Sequence, residues 1–337
     1  MRNYWYVATK SVDLKNKPLA CKILDEHIVV FRNANGQASA LIDRCPHRNI
    51  NLSKGKVING NLQCAYHGWE FNGEGKCVLI PSLCSEEKIP STACAKSYKV
   101  IEQDGLIWVW LGDENPTNEQ LPFNIPHYND SGWNKTWVQT TIKNSVGNVI
   151  ENFIDCSHTG YIHGGLFRTP ASHLAKTLVK KVNNGIVIDI DEKTDQRDSI
   201  LSKVLLGKNE KNTHQDQFIL PSIVKVDYGF GASKQIIGYQ ICTPVEDFLT
   251  NVYVCVTWRM GVITSLIAPI VKIVGNKVLK QDIWVLENQG AIIKKHGEHF
   301  SSTPSDTANN WIKISRQNAK LGIKSDSETE RNVNFRL

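Results

Sequence analysis

The sequence predicts an α+β protein of two domains, in which an all-β domain precedes a domain of helices that flank an antiparallel sheet. Short apolar runs of strand length, separated by turn signals such as Asn35-Gly36, occupy residues 1 to about 115. Beyond residue 137, strand-like runs alternate with two segments of helical periodicity, near 144–160 and 276–296. A chain of 337 residues also exceeds a typical single domain, so two domains are the default.

The predicted first domain, 1–115, is built from short apolar runs that contain aromatic and β-branched side chains. These runs are Trp5–Ala8, Ile28–Phe31, Ala38–Ile42 and Leu106–Trp110. Residues 116–136 are polar and contain Pro116 and Pro126, so they are predicted to be the linker.

The predicted second domain, 137–300, contains strands such as Gly185–Ile190, Gln235–Tyr239 and Val252–Trp258, in addition to the two helical segments. The last segment, 301–337, is polar and includes the charged run Ser325–Glu330. It is predicted to be a surface helix followed by a loose tail, because it has too few apolar residues to pack.

Two short motifs in the first domain combine cysteine with histidine: Cys45-Pro-His47 and, after sixteen intervening residues, Cys64-Ala-Tyr-His67. An asymmetric [2Fe-2S] cluster needs this set, because two thiolates hold one iron and two imidazoles hold the other, which raises the reduction potential. The alternative is a structural zinc site, since two cysteines and two histidines also bind zinc. Zinc sites more often pair like with like, so the mixed pairs favour the cluster.

A second motif carries Asp155, His158 and His163. Two imidazoles and one further carboxylate form the facial triad of a mononuclear non-haem iron(II) site, which leaves positions open for dioxygen. The further carboxylate is predicted to be Asp282, in a segment with apolar residues at helical spacing, and Glu287 is the competing ligand. On a continuous helix, Asp155 and His158 would share a face.

The neighbours of the first motifs, CPHRN at 45–49 and CAYHGWEFN at 64–72, resemble those of the Rieske iron–sulfur domain, with Pro81 on a third loop over the cluster. With the second motif included, roughly residues 1–300 are similar to the alpha (catalytic) subunit of a Rieske non-haem iron oxygenase. The resemblance implies a helix-grip fold for the catalytic domain. It also implies that the cluster passes electrons to a mononuclear iron, which activates dioxygen on an organic small molecule.

The resemblance further implies a role for each motif residue. One cluster iron would be held by Cys45 and Cys64, and the other by His47 and His67. The catalytic iron would be held by His158, His163 and Asp282. Asp155 would bridge an iron-ligand histidine to a cluster histidine of a neighbouring subunit, so a homotrimer with electron transfer between subunits is expected.

The spacing from Asn152 through Asp155 and His158 to His163 is similar to that of the monooxygenase and demethylase branch, alongside the vanillate-type enzymes. Insertion of one oxygen atom is therefore expected, with Asn152 and Asp155 in the catalytic motif. The alternatives are cis-dihydroxylation by the same metal pair and a Rieske electron-transfer protein without oxygenase activity. Electrons would come from NAD(P)H through a separate flavin reductase, a ferredoxin or both. Aromatic acids, alicyclic metabolites and alkaloids all stay open as substrates.

The composition limits the kinds of partner and the cellular compartment that are expected for this chain. With a net charge of +6 and no basic block interleaved with aromatic residues, the chain is not expected to bind nucleic acid. No secretory signal is recognised near Met1, and nine cysteines without a disulfide-like pattern favour a reducing, cytoplasmic compartment. The cysteines other than Cys45 and Cys64 are predicted to be buried small hydrophobes.

The longest apolar run, 261–274, contains Pro269 and Lys272 and is too short for a transmembrane span. It is predicted to be a packed or lid-like helix, with an amphipathic membrane-surface helix as the alternative. Basic residues around the cluster motif are predicted either to dock an acidic electron donor or to form a solvated loop face. They are Arg44, Arg48, Lys54, Lys56 and Lys76.

Several side chains of the predicted second domain are candidates for a substrate pocket, with ordinary core packing as the alternative. They are Phe167, Phe218, Leu220, Tyr239, Trp258, Met260 and Asn288.

Overall fold

The computed structural model describes residues 1–164, 174–191, 212–231, 233–323 and 329–336. It divides into two compact units, Met1–Asn124 and Ile125–Leu337. The boundary falls within the segment that the sequence predicts to be a linker. In the part of the chain described, no helix is both long enough and apolar enough to cross a membrane.

The first unit contains eleven strands and two 3-10 helices, at Ser11–Asp13 and Leu52–Lys54. In chain order the strands are β1 Tyr4–Lys10, β2 Leu19–Ile23, β3 Glu26–Arg32, β4 Ala38–Ile42, β5 Lys56–Ile58, β6 Asn61–Gln63, β7 Glu70–Phe71, β8 Cys77–Leu79, β9 Ser97–Tyr98, β10 Val100–Gln103 and β11 Leu106–Leu111. They form three sheets, with strand orders β1-β11-β10, β2-β3-β4-β9 and β5-β6-β7-β8. The predicted all-β first domain is therefore confirmed.

The core of this unit lies between the sheets. Every residue of β11 is buried, which is why its sequence is a continuous apolar run without alternation. A second cluster of buried residues, which includes Phe31, Leu62 and Phe71, also contains Cys45 and Cys64. Both cysteines are therefore packed into the core of the first unit.

The second unit is built on one eight-stranded antiparallel sheet. Its strands are β12 Asn134–Ile142, β13 Leu174–Val182, β14 Gly185–Asp191, β15 Asn212–Ile219, β16 Ile223–Phe230, β17 Lys234–Glu246, β18 Leu249–Arg259 and β19 Glu330–Arg336. The strand order is β12-β18-β17-β16-β15-β14-β13-β19, with every neighbouring pair antiparallel. The predicted antiparallel sheet with flanking helices is confirmed.

Four described α-helices accompany this sheet: α1 Val146–Ile154, α2 Thr159–Ile162, α3 Ala268–His296 and α4 Thr307–Lys320. Two 3-10 helices lie at Gly261–Ile263 and Pro304–Asp306. Buried residues of α1 and α4, such as Val149 and Ile312, pack with one face of the sheet. We call this face the inner face, and it includes Ile188, Phe218 and Cys242. Side chains alternate between the two faces of a strand, so the next residue along each strand lies on the outer face.

Part of the predicted loose tail is wrong, because residues 330–336 form the edge strand β19 against β13. Val333 and Phe335 alternate with polar residues and pack on the inner face, which is the period of a half-buried strand. The strand was not predicted because charged residues stand on both sides of this short alternating pattern.

None of the nine cysteines forms a disulfide. Cys21, Cys156, Cys242 and Cys255 are buried or half-buried, but Cys84 and Cys94 are exposed, so the prediction of buried cysteines is wrong for these two.

Candidate metal centres

The two cysteine–histidine loops share one backbone design. The amide of Cys45 donates to the carbonyl of Ile50 at 2.8 Å, and the amide of Cys64 donates to the carbonyl of Trp69 at 2.8 Å. The carbonyls of the two cysteines accept from Asn49 at 2.9 Å and from Gly68 at 3.1 Å. Each loop therefore closes in the same way around its cysteine.

The fifth residue of each loop adopts a left-handed conformation, with φ of +60° at Asn49 and +73° at Gly68. Asparagine and glycine are the residues that adopt it at lowest cost, so this local chemistry explains both identities. A side chain at Gly68 would also meet the Cγ of Pro81 at 3.0 Å, because the predicted third loop lies directly over the second.

The four donor side chains of these loops fit an iron–sulfur cluster. Burial raises the pKa of the Cys45 thiol to about 11, and the neighbouring Cys64 thiol adds to this rise. The rings of His47 and His67 lie 4.5 Å apart, and the buried Nδ1 of His47 has no hydrogen-bond partner among the described residues. Buried thiols in contact and a buried imidazole nitrogen without a hydrogen bond are expected where a metal group completes the site.

Asp43, which the sequence analysis missed, holds the first loop in place. Its buried carboxylate accepts from the amide and the hydroxyl of Ser53, both at 2.7 Å, and from the side chain of Asn51 at 3.1 Å. Trp69 stacks on His47 with ring centroids 4.5 Å apart, which fixes the plane of that imidazole. The only sign of the Asp43 contacts in the sequence is an aspartate two residues before Cys45.

In the second unit, the predicted helix across 144–160 is wrong in one respect, because α1 ends at Ile154. Asp155 is its C-terminal cap, and its Oδ1 accepts from the amide of Ser157 at 2.8 Å and from the hydroxyl at 2.6 Å. An aspartate that bonds the backbone two residues ahead offers an alternative to the helix. Asp155 and His158 are therefore brought together by a turn, with 3.7 Å between Asp155 Oδ2 and His158 Nδ1.

His158, His163 and Asp282 form a group of possible metal ligands, because their ligand atoms all lie within 4.8 Å of one another. The Nε2 atoms of the two histidines lie 3.3 Å apart. Oδ1 of Asp282 lies 3.5 Å from Nε2 of His158 and 3.1 Å from Nε2 of His163. Two ligands about 2.1 Å from one metal ion and about 90° apart would be about 3 Å from each other, so these distances suit a facial triad.

The chemistry of the three atoms also fits a cation. Oδ1 of Asp282 is buried and accepts no hydrogen bond within the described part of the chain. Burial lowers the pKa of His158, but the carboxylates of Asp155 and Asp282 outweigh burial and raise it to about 9. Converging lone pairs with excess negative charge therefore surround a point where a divalent ion would bind.

Gln281 is a partner of this site that the sequence analysis missed. Its Oε1 lies 3.0 Å from Nδ1 of His163. When Nε2 of His163 binds a metal, the ring proton must be on Nδ1, so the amide oxygen accepts from it and fixes the tautomer. Glu287, the competing ligand, lies elsewhere on α3, with its carboxylate 3.4 Å from the Lys143 amide.

A buried asparagine anchors α3 to the segment that leads into α1. The side-chain amide of Asn144 donates to the carbonyl of Leu286 at 2.8 Å and to Gln289 at 2.9 Å. Its side-chain oxygen accepts from Asn148 at 2.8 Å. Since α3 carries Asp282 and α1 leads to the histidines, this contact sets the relative position of the ligands.

The structure separates the other predicted site residues. Phe218, Trp258 and Met260 are buried on or beside the inner face, and Leu220 is half-buried against it. Tyr239 lies on the outer face and donates to the carbonyl of Pro126 at 3.2 Å, because it is an odd number of residues from Cys242.

Asn288 is exposed on α3, and Asn152 lies on α1 with a buried side-chain oxygen that has no partner among the described residues. Phe167 lies outside the described residues. The structure therefore does not bring Tyr239 or Asn288 to the metal group.

These two units define a class: a protein with an iron–sulfur-type pair of cysteine–histidine loops and a mononuclear facial triad on a separate sheet. Two family models match the chain accordingly. Residues 4–99 match the Rieske [2Fe-2S] domain, and residues 142–309 match the vanillate O-demethylase oxygenase C-terminal domain. The chain therefore belongs to the Rieske non-haem iron oxygenase family.

Curated relatives align over about half of the chain. Protein TIC 55, chloroplastic, of Pisum sativum is 40% identical over 166 residues, which are 47% of this chain and 29% of that protein. The dicamba O-demethylase oxygenase component of Stenotrophomonas maltophilia is 36% identical over 174 residues, 51% of this chain and 50% of that protein. The chain thus spans half or less of the length of these relatives.

Solved structures agree in fold over nearly the full chain. Dicamba monooxygenase bound to 3,6-dichlorosalicylic acid superposes with a TM-score of 0.84 at 23% identity, covering 95% of this chain and 97% of that one. NdmB of Pseudomonas putida CBB5 superposes with a TM-score of 0.79 at 20% identity, covering 95% and 91%. At these identities the likeness concerns the fold.

Proposed function

We propose that this protein is the terminal oxygenase component of a Rieske system, which inserts one atom of dioxygen into an organic small molecule. The observation that carries the proposal is the convergence of Nε2 of His158, Nε2 of His163 and Oδ1 of Asp282 within 3.1–3.5 Å. An electron-transfer protein would have no use for such a group in a second unit.

Each ligand set would hold a different metal group. Cys45, Cys64, His47 and His67 would hold the [2Fe-2S] cluster, and His158, His163 and Asp282 would hold an iron(II) ion. When bound, the cluster supplies electrons one at a time and the iron supplies the activation of dioxygen.

The protein residues around the triad would set its geometry and environment. His163 and Asp282 are buried, which excludes water from one side of the group and strengthens the attraction for a cation. Gln281 orients His163, and Asp155 faces the other ring nitrogen of His158. Three protein ligands leave positions open, as an oxygenase requires.

The side chain of Asp155 is 31% exposed, and this exposure supports its proposed role as the bridge to a neighbouring subunit in a homotrimer. Light scattering of the purified protein would test the trimer. If it is formed, Asp155→Asn should leave the trimer and both metal groups intact while the rate of electron transfer between them falls sharply.

The proposed electron donor is an acidic ferredoxin or flavin reductase that draws on NAD(P)H. Arg44, Arg48, Lys54 and Lys56 are exposed near the cluster loops, whereas Lys76 pairs with Glu74 at 2.9 Å. We expect the Lys54→Glu, Lys56→Glu double variant to slow reduction of the cluster at low salt and to match the wild type at high salt. Equal rates at both salt concentrations would exclude this docking surface.

The substrate proposal stays at the class of small organic molecules, as the names of relatives such as vanillate O-demethylase oxygenase subunit suggest. A cytoplasmic compartment is also a proposal, supported by nine cysteines that form no disulfide.

Metal analysis is the decisive test. We expect three irons and two acid-labile sulfides per chain in anaerobically purified protein, and a Rieske-type electron paramagnetic resonance spectrum after reduction. His158→Ala should lose about one iron and keep the sulfide. Two irons in both proteins would leave an electron carrier, and zinc without sulfide would overturn the cluster assignment. Once a substrate is found, two labelled atoms from dioxygen in one product would mean dihydroxylation instead.

A further inference from the structure

The start of α3 is apolar on both of its sides. Toward the interior, Ile267, Ala268 and Val271 pack against the buried cluster that contains Trp258 and Met260. The outward side is also aliphatic, and its side chains are exposed among the residues that the structure describes. The packed or lid-like helix predicted over 261–274 begins only at Ala268, and it is packed on its inward side alone.

Four outward residues form what we call the apolar ridge: Val262, Leu266, Ile270 and Ile273. Their exposed fractions are 98%, 75%, 59% and 68%, which are high for aliphatic side chains. Ile270 and Ile273 are three residues apart on α3 and so share one side of the helix, and Leu266 and Val262 extend the exposed run into the turn and the 3-10 helix that precede α3. Scattered exposed aliphatics need no explanation, but a continuous run of them marks an interaction surface.

The charge around the apolar ridge has one sign. From Gly261 to Gln281 the sequence contains Lys272, Lys277 and Lys280 and no aspartate or glutamate. All three lysines are exposed, and Lys277 and Lys280 continue the ridge along α3 at helical spacing. Lysine stems can lie along an apolar surface while their ammonium groups reach an anionic layer.

We propose that the apolar ridge docks this protein on the surface of a membrane that contains anionic lipid. The composition favours lipid over a protein partner, because the charged residues of 261–281 are lysines, which specific protein interfaces disfavour, and the segment contains no arginine, which they favour. Aliphatic side chains beside lysines match an interfacial helix, whose binding combines apolar burial with attraction to anionic headgroups. The docking surface is independent of the proposed oxygenase activity, since none of its residues is a metal ligand.

The test is flotation of the full-length protein with vesicles of phosphatidylcholine alone or mixed with phosphatidylglycerol. We expect binding to the mixed vesicles, weaker binding to phosphatidylcholine, and loss of the difference at high salt. The Leu266→Gln, Ile270→Gln double variant should bind at least about tenfold more weakly. Replacing Lys272, Lys277 and Lys280 by glutamine should remove the preference for anionic vesicles.

A matched control changes exposed aliphatics outside the ridge, with Ile292→Gln and Ile314→Gln in one variant. It should bind vesicles like the wild type. Circular dichroism and the visible cluster spectrum show that each variant is folded. The proposal is overturned if the wild type does not float with mixed vesicles, or if the ridge and control variants bind equally. It is also overturned if light scattering shows that the ridge variant dissociates into smaller assemblies, because a second copy would then be the occupant.

Discussion

Two glycines in α3 should respond in opposite ways to the same substitution. Gly290 is buried, and a Cβ atom built on it would lie well inside 3.0 Å of the Lys143 carbonyl oxygen and 3.2 Å from Cγ of Asn144. A Cβ atom built on Gly275 meets nothing within 4 Å. The helix is therefore in close backbone contact with its neighbour at one glycine and free of contact at the other.

The magnitudes follow from these contacts. Alanine is favoured over glycine in a helix interior by about 1 kcal/mol, so Gly275→Ala should stabilise the second unit by about that amount. At Gly290 the same gain is opposed by overpacking, which costs about 1–3 kcal/mol or more when backbone must shift. To relieve the contact, α3 would have to move by on the order of 1 Å. Gly290→Ala should therefore destabilise the unit by up to about 2 kcal/mol, and by more if the backbone has to shift.

Calorimetry measures the change in stability as a shift of the unfolding temperature, which should be roughly 2–4 °C per kcal/mol for a unit of this size. A second measurement follows the site, because α3 also carries Asp282. Gly290→Ala should weaken the binding of cobalt(II), a spectroscopic substitute for iron, while Gly275→Ala leaves it unchanged. Equal and stabilising effects of both substitutions would refute the close contact at Lys143 and the coupling of helix position to the site.

Three further predictions concern single side chains. Gln281→Leu should weaken metal binding about 10–100-fold, because His163 loses the acceptor that fixes its tautomer, whereas Gln281→Glu should retain binding; cobalt(II) titration of both variants decides this. Metal affinity should fall about tenfold for each pH unit below 9, because an ion must displace the proton from His158, whose pKa is raised to about 9, and a flat profile from pH 6 to 9 would contradict this. In the first unit, burial would raise the pKa of Glu26, but Tyr98, Arg2 and Lys96 lower it to about 2. The stability that ionised Glu26 gives the fold is therefore complete above pH 4.5, the ordinary pKa of a glutamate, and is lost as the pH falls through 2. Glu26→Gln should cost about 2 kcal/mol at pH 7 and almost nothing at pH 2, as denaturant unfolding would show.

The sequence by itself determined the chemistry of the donor groups and the type of most elements. The mixed cysteine–histidine pairs, the histidines of the second motif and the carboxylate at 282 are residue types at short spacings, and coordination chemistry restricts what such sets can bind. Strands such as β3 and β18 could be predicted because each is a short run of apolar residues along the chain.

The tertiary structure decided which of these groups meet. Asp282 lies more than a hundred residues after His163 in sequence, and only the packing of α3 on Asn144 brings its carboxylate to 3.1 Å from the imidazole. Gln281 could not be distinguished from a solvent-facing glutamine by its neighbours, because its partner is distant in sequence. The break after Ile154 depended on whether Asp155 bonded its own turn or continued the helix, a choice between local hydrogen bonds of similar energy. The exposure of Ile270 and Ile273 likewise depended on which side of α3 packs on the core of the second unit.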